Sequence, residues 1–166
     1  MPLPLETERL RLREATLADL GVWHEIAHDA ERAWFGEPQA TLDESRAKLE
    51  LRIAHQERHG FSLWPVELKA SGEVVGLAGL VHLEDGPEIE VGYRFLEPHW
   101  GNGYATEAAR AAIAFGFDEL RLDRIVAVTL PDNYGSRRVL EKCGLTLVGP
   151  TFAYGYPHVK YAIERN

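Results

Sequence analysis

One segment of the chain passes from a strand pattern through a glycine-rich loop into a helix pattern. Apolar and polar residues alternate from Glu88 to Leu96, which predicts a strand with one apolar and one polar face. Residues 98–105 follow directly, and a stripe of small residues then recurs at helical spacing from about Tyr104 to Leu120. A strand joined so closely to a helix with small side chains predicts a fold in which helices pack on a sheet.

The rest of the chain supplies further elements around this segment. Strands are predicted at 9–13, 61–69, 73–83, 124–130, 145–149 and 158–164, and helices at 17–30, at 43–59 and from Asp132 or Asn133 to Gly144. The order of elements indicates a mixed α/β layer rather than a regular βαβ array. With 166 residues, 45% of them hydrophobic, the chain is long enough for one domain over 1–166 and short for two.

Composition excludes several classes of protein. A single cysteine, Cys143, permits neither an internal disulfide nor a cysteine-based zinc site, and the seven histidines show no metal-ligand spacing, so we expect no metal. The net charge of −8 argues against nucleic-acid binding, whereas it permits a cationic substrate. No apolar run reaches the roughly 18 residues of a membrane span, and the start lacks the pattern of a signal peptide. A cytoplasmic protein is the expectation.

The glycine loop itself predicts a phosphate site. Gly101 and Gly103 allow the backbone to approach a ligand, and the first turn of the following helix adds unpaired N–H groups and a positive dipole end. A tight turn without any ligand is the other interpretation. The loop is not a dinucleotide fingerprint, since Thr106 stands where a third glycine is needed, and it lacks the Gly-Lys-Ser/Thr ending of nucleotide-triphosphate loops.

Two segments resemble a known family. Residues 90–108, EVGYRFLEPHWGNGYATEA, and residues 131–145, PDNYGSRRVLEKCGL, are similar to the GCN5-related N-acetyltransferase superfamily. Within it they resemble the branch of ribosomal-protein N-terminal acetyltransferases, of which the opening at 7–13 is also characteristic. The resemblance implies a central mixed, mostly antiparallel sheet of about six to seven strands flanked by about four helices.

The same resemblance implies a binding site for acetyl-CoA. The loop would hold the pyrophosphate, the end of the preceding strand would pair with the pantetheine amides, and the thioester would enter the gap where this strand splays from the next. The implied cofactor-binding residues are Phe95, Leu96, Trp100, Gly101, Asn102, Gly103, Tyr104, Ala105, Thr106, Asn133 and Ser136. Trp100 departs from the Gln or Arg that the superfamily often has at this place.

Catalytic roles are also implied by the resemblance. Glu90 is the first candidate for the general base and Glu88 the second, although both could simply belong to a solvated strand face paired with cations. Many relatives protonate the leaving thiolate with a tyrosine, but Leu140 occupies that place. Ser136, one helical turn after Asn133, is then the candidate donor, or else a small packing residue.

The expected activity is transfer of an acetyl group to a primary amine, by direct attack in a ternary complex. A protein N-terminal α-amine is the first acceptor, and a polyamine, amino acid or aminoglycoside the second. A non-catalytic acyl-CoA-binding sensor is the rival from another class, and a homodimer is left open. The aromatic residues Trp34, Phe35, Tyr154 and Tyr156 either shape the acceptor pocket or serve ordinary packing.

Overall fold

The computed structural model describes residues 3–35 and 40–166, without the side chains of 30–35. The helices are α1 (Leu20–Phe35), α2 (Leu42–His59), α3 (Tyr104–Asp118) and α4 (Tyr134–Lys142). The strands are β1 (Leu5–Glu6), β2 (Leu10–Leu12), β3 (Leu63–Leu68), β4 (Val74–His82), β5 (Ile89–Phe95), β6 (Arg124–Thr129), β7 (Thr146–Ala153) and β8 (Tyr156–Glu164). Within the described residues, no helix is both long and apolar enough to cross a bilayer.

All eight strands form one sheet in the order β1-β2-β3-β4-β5-β6-β8-β7. Neighbouring strands are antiparallel except β5 and β6, which are parallel. β8 lies between β6 and β7, so the last strand of the chain is an inner strand of the sheet. The mixed, mostly antiparallel sheet and the four helices confirm the predicted fold class.

Helices cover both faces of the sheet. α3 packs on one face through residues that are completely buried, namely Ala108, Ala109 and Ala112, against strand residues such as Leu80 and Ile125. The small alanines allow the helix to approach the sheet closely. On the opposite face, Trp23 and Ile26 of α1 and Leu49 of α2 pack against Leu77 and Leu96.

The strand count is higher than the six to seven expected. The additional strand, β1, has two residues, and it pairs Leu5 with Leu12 across a short turn. β7 also continues to Ala153, beyond its predicted end at 149. Most of its side chains are exposed, so it has no clear apolar alternation, and Gly149 and Pro150 resemble the end of a strand.

Capping residues in the sequence define both ends of α2. Thr41 caps α2 by accepting the N–H of Glu44, whose side chain bonds back to the N–H of Thr41, and Gly60 ends the helix with φ of +81°. α1 extends further than predicted, through Phe35. The side chains of Trp34 and Phe35, and with them their predicted role at an acceptor pocket, lie outside the described residues.

Candidate active site

The sheet opens between β5 and β6. β5 pairs with β4 at seven positions, along its whole length. With β6 it pairs only where Glu90 lies opposite Val126. The two strands therefore diverge beyond Glu90 and leave the expected V-shaped gap, which leads towards the glycine loop.

Backbone hydrogen bonds decide which part of β5 can offer its amides to this gap. The N–H of Leu96 donates to the Val75 carbonyl at 2.9 Å, and the Leu96 carbonyl accepts from the His99 N–H at 2.9 Å. The expected backbone pairing of Leu96 with a ligand does not fit this geometry, because both groups are already bonded within the chain.

The backbone groups of Phe95 and Tyr93, one and three positions before Leu96, face the gap instead. Because alternate residues of a strand direct their N–H and C=O groups to opposite edges, those of Tyr93 and Phe95 point away from β4. The Phe95 carbonyl accepts the indole N–H of Trp100 at 2.7 Å. The N–H of Phe95 and both backbone groups of Tyr93 thus lie along the gap, and Trp100 anchors the loop to the end of β5.

The glycine loop has the backbone that its sequence predicts. A single 3-10 turn, Glu97–His99, leads into the loop, and the Asn102 side chain steadies it by donating to the His99 carbonyl at 3.0 Å. Gly101 and Gly103 have φ of +82° and +80°, which favours glycine. Gly103 is the N-cap of α3 and has no side chain to cap it, so the first-turn N–H groups of Tyr104, Ala105 and Thr106 open onto the loop.

The N-terminal segment holds this loop in place. The Arg9 guanidinium donates to the Asn102 carbonyl at 2.8 Å and to the Glu107 carboxylate at 2.8 Å, and it lies 4.6 Å from the centroid of the Tyr104 ring. The same carboxylate accepts the Arg9 backbone N–H and the Thr7 hydroxyl. Burial disfavours ionisation of Glu107, but these donors outweigh burial and hold its pKa below the usual range.

Asn133 and Ser136 lie at the start of α4. The Asn133 side-chain oxygen caps the helix by accepting the Ser136 N–H at 3.1 Å, so only its amide NH₂ group could bind a ligand. The Ser136 hydroxyl is 3.0 Å from the Tyr93 hydroxyl, which also donates to the Ser136 carbonyl at 3.0 Å. Two hydroxyls, one from β5 and one from α4, therefore meet beside the gap. Burial raises the pKa of Tyr93, so both groups are neutral.

Glu90 is buried, with only 7% of its surface exposed. Burial raises its pKa to about 7, although a hydrogen bond from the Tyr154 hydroxyl and the charges of Arg52 and Arg94 favour the ionised form. Such a carboxyl changes its protonation state near neutral pH, as a general base requires. The interpretation of a solvated strand face does not fit Glu90.

Glu88 is in a different environment. Its carboxylate lies 2.5 Å from Lys160 Nζ and 3.9 Å from Arg124. This is the pairing with cations that a solvated strand face predicts. Of the two candidates for the base, Glu88 is held by cations, whereas Glu90 is buried and its pKa is raised to about 7.

Tyr154 reaches Glu90 from the turn between β7 and β8. Tyr154 and Gly155 have φ of +52° and +81°, and Ala153 pairs with Tyr156, which is the geometry of a two-residue hairpin turn. The backbone N–H of Tyr154 also donates to Glu84 at 3.0 Å. The hairpin is thus attached at two points to the loop and strand around Glu90.

Comparisons with known proteins show the family of the chain. A family model described as an acetyltransferase (GNAT) domain matches residues 9–146. The chain belongs to the GNAT superfamily. It is 35% identical over 149 residues to the protein YkkB of Bacillus subtilis, covering 85% of this chain and 84% of that protein. It is 27% identical over 146 residues to the spermidine N(1)-acetyltransferase of Escherichia coli, covering 84% and 74%.

Solved GNAT structures have the same fold. The crystal structure of an acetyltransferase from Agrobacterium tumefaciens superposes with a TM-score of 0.86 and 28% identity, over 99% of this chain and 96% of that chain. A ribosomal-protein α-N acetyltransferase, RimL, in complex with coenzyme A superposes with a TM-score of 0.80 over 97% of each chain. At 20% identity that likeness concerns the fold alone. The chain is an N-acetyltransferase, and members of its family use acetyl-CoA.

Leu140 is 1% exposed and packs in the hydrophobic core. As an apolar residue it cannot donate a proton to a leaving thiolate. The hydroxyls closest to a comparable role in this GNAT protein are those of Ser136 and Tyr93. The sequence analysis did not single out the hydroxyl of Tyr93, because the alternation of β5 assigns this residue to the apolar face.

Two further functional residues were missed. Arg9 belongs to the characteristic opening at 7–13, but its contact with the loop is made about a hundred positions away along the chain. Tyr154 was noticed only as an aromatic residue near the acceptor side. Its place in a turn was not predictable, because the first position of such a two-residue turn usually holds Asn, Asp or Gly rather than tyrosine.

Proposed function

We propose that this GNAT protein transfers the acetyl group of acetyl-CoA directly to a primary amine, and that its first acceptor is the α-amine of a protein or peptide N-terminus. The observation that carries the proposal is Glu90, a buried carboxyl with a pKa of about 7 at the point where β5 and β6 separate.

The described residues fit the cofactor. The open first-turn N–H groups of α3 and the positive-φ glycines would receive the pyrophosphate, with the positive end of the helix dipole behind it. The free backbone groups of Tyr93 and Phe95 would pair with the pantetheine amides, as a further strand pairs with a sheet edge. The Asn133 amide lies at the start of α4, on the other side of the gap.

Bound acetyl-CoA supplies the acetyl thioester, and the protein supplies the proton transfers. Glu90 in its ionised form takes a proton from the acceptor ammonium and leaves a neutral amine that can attack. The Ser136 hydroxyl, supported by Tyr93, donates a hydrogen bond to the sulfur as it leaves, and the second proton, which the nitrogen loses on becoming an amide, neutralises the thiolate. No acyl-enzyme is needed, and burial raises the pKa of Cys143, which makes that thiol a poor nucleophile.

The pKa of Glu90 favours an α-amine. An α-ammonium has a pKa of about 7.7–8.0, so transfer of its proton to Glu90 is uphill by about 1 unit, or ~1.4 kcal/mol. A lysine-type ammonium has a pKa of about 10.4, and the same transfer costs ~4.6 kcal/mol. A base of this strength is therefore matched to N-terminal amines.

A small polyamine is the second candidate. One relative at 27% identity is named as a spermidine acetyltransferase, and the net charge of −8 would attract a polycation. In that case a field of acidic residues would bind the ammonium but would also stabilise its charged form, so loss of the proton remains the costly step for a polyamine.

A thiol-release assay with acetyl-CoA decides between these acceptors. The panel contains peptides with free N-termini, the same peptides with acetylated N-termini and a free lysine, and spermidine. We expect kcat/KM for free N-termini to exceed that for the lysine peptides by about 200-fold, following the difference of ~3.2 kcal/mol in the cost of proton transfer. Faster acetylation of spermidine than of any peptide would show that a polyamine, and not an N-terminus, is the preferred acceptor. Acetyl-CoA binding without turnover of any amine would support a sensor instead.

A further inference from the structure

Three imidazoles meet at the C-terminal end of α2. His55 and His59 are one helical turn apart on α2, and His82 is the last residue of β4. The ring centroids of His59 lie 4.5 Å from those of both His55 and His82, and the His55 and His82 centroids are 5.1 Å apart. One nitrogen from each ring lies within 4.8 Å of the others. This grouping differs from the expectation of scattered histidines without metal spacing.

Hydrogen bonds orient the most buried of the three rings. His55 Nδ1 lies 2.7 Å from the Phe61 carbonyl, which can only accept, so this nitrogen carries the proton. The lone pair of His55 is therefore on Nε2, which accepts the N–H of His82 Nδ1 at 2.9 Å, so a metal ion bound at His82 Nδ1 requires His82 to carry its proton on Nε2 instead. A histidine that donates one N–H to a backbone carbonyl and presents its other nitrogen to neighbours has the arrangement typical of metal-binding histidines.

The geometry is close to that of a three-histidine site. With zinc–nitrogen distances of about 2.0–2.1 Å, nitrogens in a tetrahedral site are about 3.4 Å apart. The separations in the cluster bracket this value, and His59, which is exposed, can adjust by rotating its side chain. Three imidazoles that leave one position to water form a ligand set that borderline divalent cations prefer.

A second histidine pair shows that helical spacing alone does not create a three-ligand site. His24 and His28 on α1 are also one turn apart, with centroids at 4.0 Å. Each makes one ring hydrogen bond, as His55 does, with His24 Nδ1 2.6 Å from the Ser45 hydroxyl and His28 Nε2 3.0 Å from the Ala40 carbonyl, but among the described residues no third ligand completes a set with this pair. In the described part of the chain, the α2–β4 cluster is the one group of three or more such side chains with metal-binding geometry.

We propose that His55, His59 and His82 bind one divalent transition-metal ion of the zinc class, through His55 Nε2, His82 Nδ1 and a ring nitrogen of His59. The ion fastens the end of α2 to β4, the strand on which β5 is paired. The site is separate from the glycine loop, and the inference does not depend on the acceptor of the acetyl group.

The test uses the full chain without an affinity tag, freed of metal with a chelator. Titration with Co²⁺ is expected to give the visible absorption bands of a four-coordinate ion, with saturation at one ion per chain, and Zn²⁺ is expected to displace it. His59→Ala and His82→Ala are expected to weaken Zn²⁺ binding by about 100-fold, since losing even an outer-shell partner of a metal costs 10–100-fold. His24→Ala, the control at the same helical spacing, keeps the wild-type affinity.

Thermal unfolding gives an independent measurement. Excess Zn²⁺ is expected to raise the unfolding midpoint of the wild type and of His24→Ala, but not that of His59→Ala. Because His59 is exposed, this substitution preserves the fold, which circular dichroism verifies. The proposal is overturned if wild-type protein binds Co²⁺ without four-coordinate bands or below one ion per chain. It is also overturned if His59→Ala and His82→Ala bind Zn²⁺ as tightly as the wild type.

Discussion

The glycine loop and the gap beside β5 in this GNAT protein each adjoin a poorly exposed glutamate, and the pKa values of these two carboxyls are shifted in opposite directions. Glu107 receives the Thr7 hydroxyl and both the backbone and side-chain N–H groups of Arg9, so its pKa is lowered. Glu90 receives one hydroxyl, from Tyr154, and burial raises its pKa to about 7. The first carboxylate is a permanent anion that fixes a loop, whereas the second can gain and lose a proton.

The difference teaches that burial and hydrogen-bond donors together separate a structural carboxylate from a reactive one. Glu90 is the more deeply buried of the two, whereas Glu107 accepts from more donors, one of them a guanidinium. Each of the following predictions changes one side of this comparison.

The largest effect is expected from Glu90→Gln in the chemical step. The amide cannot accept a proton, so kcat should fall by about 10³-fold, within the range known for removal of a general base. The wild-type kcat should also decline as the pH falls through about 7, because Glu90 becomes protonated, and the variant should lose this limb. Initial rates from pH 5.5 to 9 measure both. An equal loss in Glu88→Gln and none in Glu90→Gln would assign the base to Glu88.

The same substitution should stabilise the protein at alkaline pH. The folded pKa of Glu90, about 7, lies above the ordinary value of 4.5, so the folded state retains a proton that the unfolded state has lost. Wild-type stability therefore falls as the pH rises from about 4.5 to about 7, by up to ~3 kcal/mol. Urea unfolding at pH 5 and pH 8 should show the variant gaining on the wild type only at pH 8. A constant difference between them would mean that Glu90 has an ordinary pKa.

On the cofactor side, Gly103→Glu should raise the dissociation constant of acetyl-CoA by about 100-fold, or ~2.7 kcal/mol. The new side chain would meet a backbone with φ of +80° and would place a negative charge where phosphate is expected. Gly72→Glu is the control, because it introduces the same residue at φ of +77° in the turn between β3 and β4. Calorimetric titration compares the two. Normal binding by Gly103→Glu would remove the phosphate role from this loop.

Glu107→Gln should lower the free energy of unfolding, whereas Glu90→Gln raises it at alkaline pH. Its ionised form is favoured by the fold, so the amide should cost about 2 kcal/mol at pH 7. The difference should shrink as the pH falls below the ordinary carboxyl pKa, because the wild type then loses the same charge. Glu50→Gln, which breaks the exposed Arg46–Glu50 pair, should cost no more than about 0.5 kcal/mol. Urea unfolding of all three proteins tests the order, and equal losses in the two variants would contradict it.

Ser136→Ala should have the smallest effect. Loss of one hydrogen bond to the leaving sulfur should lower kcat by about 5-fold, or ~1 kcal/mol. Tyr93→Phe retains the ring and removes the hydroxyl 3.0 Å away, so it should give a smaller decrease if Tyr93 only supports Ser136. Single-turnover rates separate this step from product release. A larger effect from Tyr93→Phe than from Ser136→Ala would make Tyr93 the donor.

Elements with strong periodicity were predictable from the sequence. The alternation that defines β5 and the alanine stripe of α3 are local patterns, and the loop between them has the glycines that its dihedral angles require. β1 was not predictable, because two residues contain no period and become a strand only by pairing with β2. The outer half of β7 was missed because most of its side chains face solvent.

The site divides in the same way. The loop and Asn133 follow from contiguous motifs, whereas the partners that tune the two glutamates come from distant parts of the chain. Arg9 and Glu107 are 98 positions apart, and Glu90 and Tyr154 are 64 apart. Only the packing of the sheet brings these residues together, and no local pattern encodes such a meeting. The histidine cluster arises similarly from α2 and β4.

The inner position of β8 has a consequence for synthesis of the protein. β6 gains its antiparallel neighbour, and β7 its partner, only when residues 156–164 have been translated. Tyr154 lies in the turn that β8 closes, so its hydrogen bond to Glu90 also requires these residues. A ribosome-bound chain that still lacks this segment would have the glycine loop and α3 but an incomplete sheet. The part of the sheet around Glu90 is therefore expected to form last, after the glycine loop and α3.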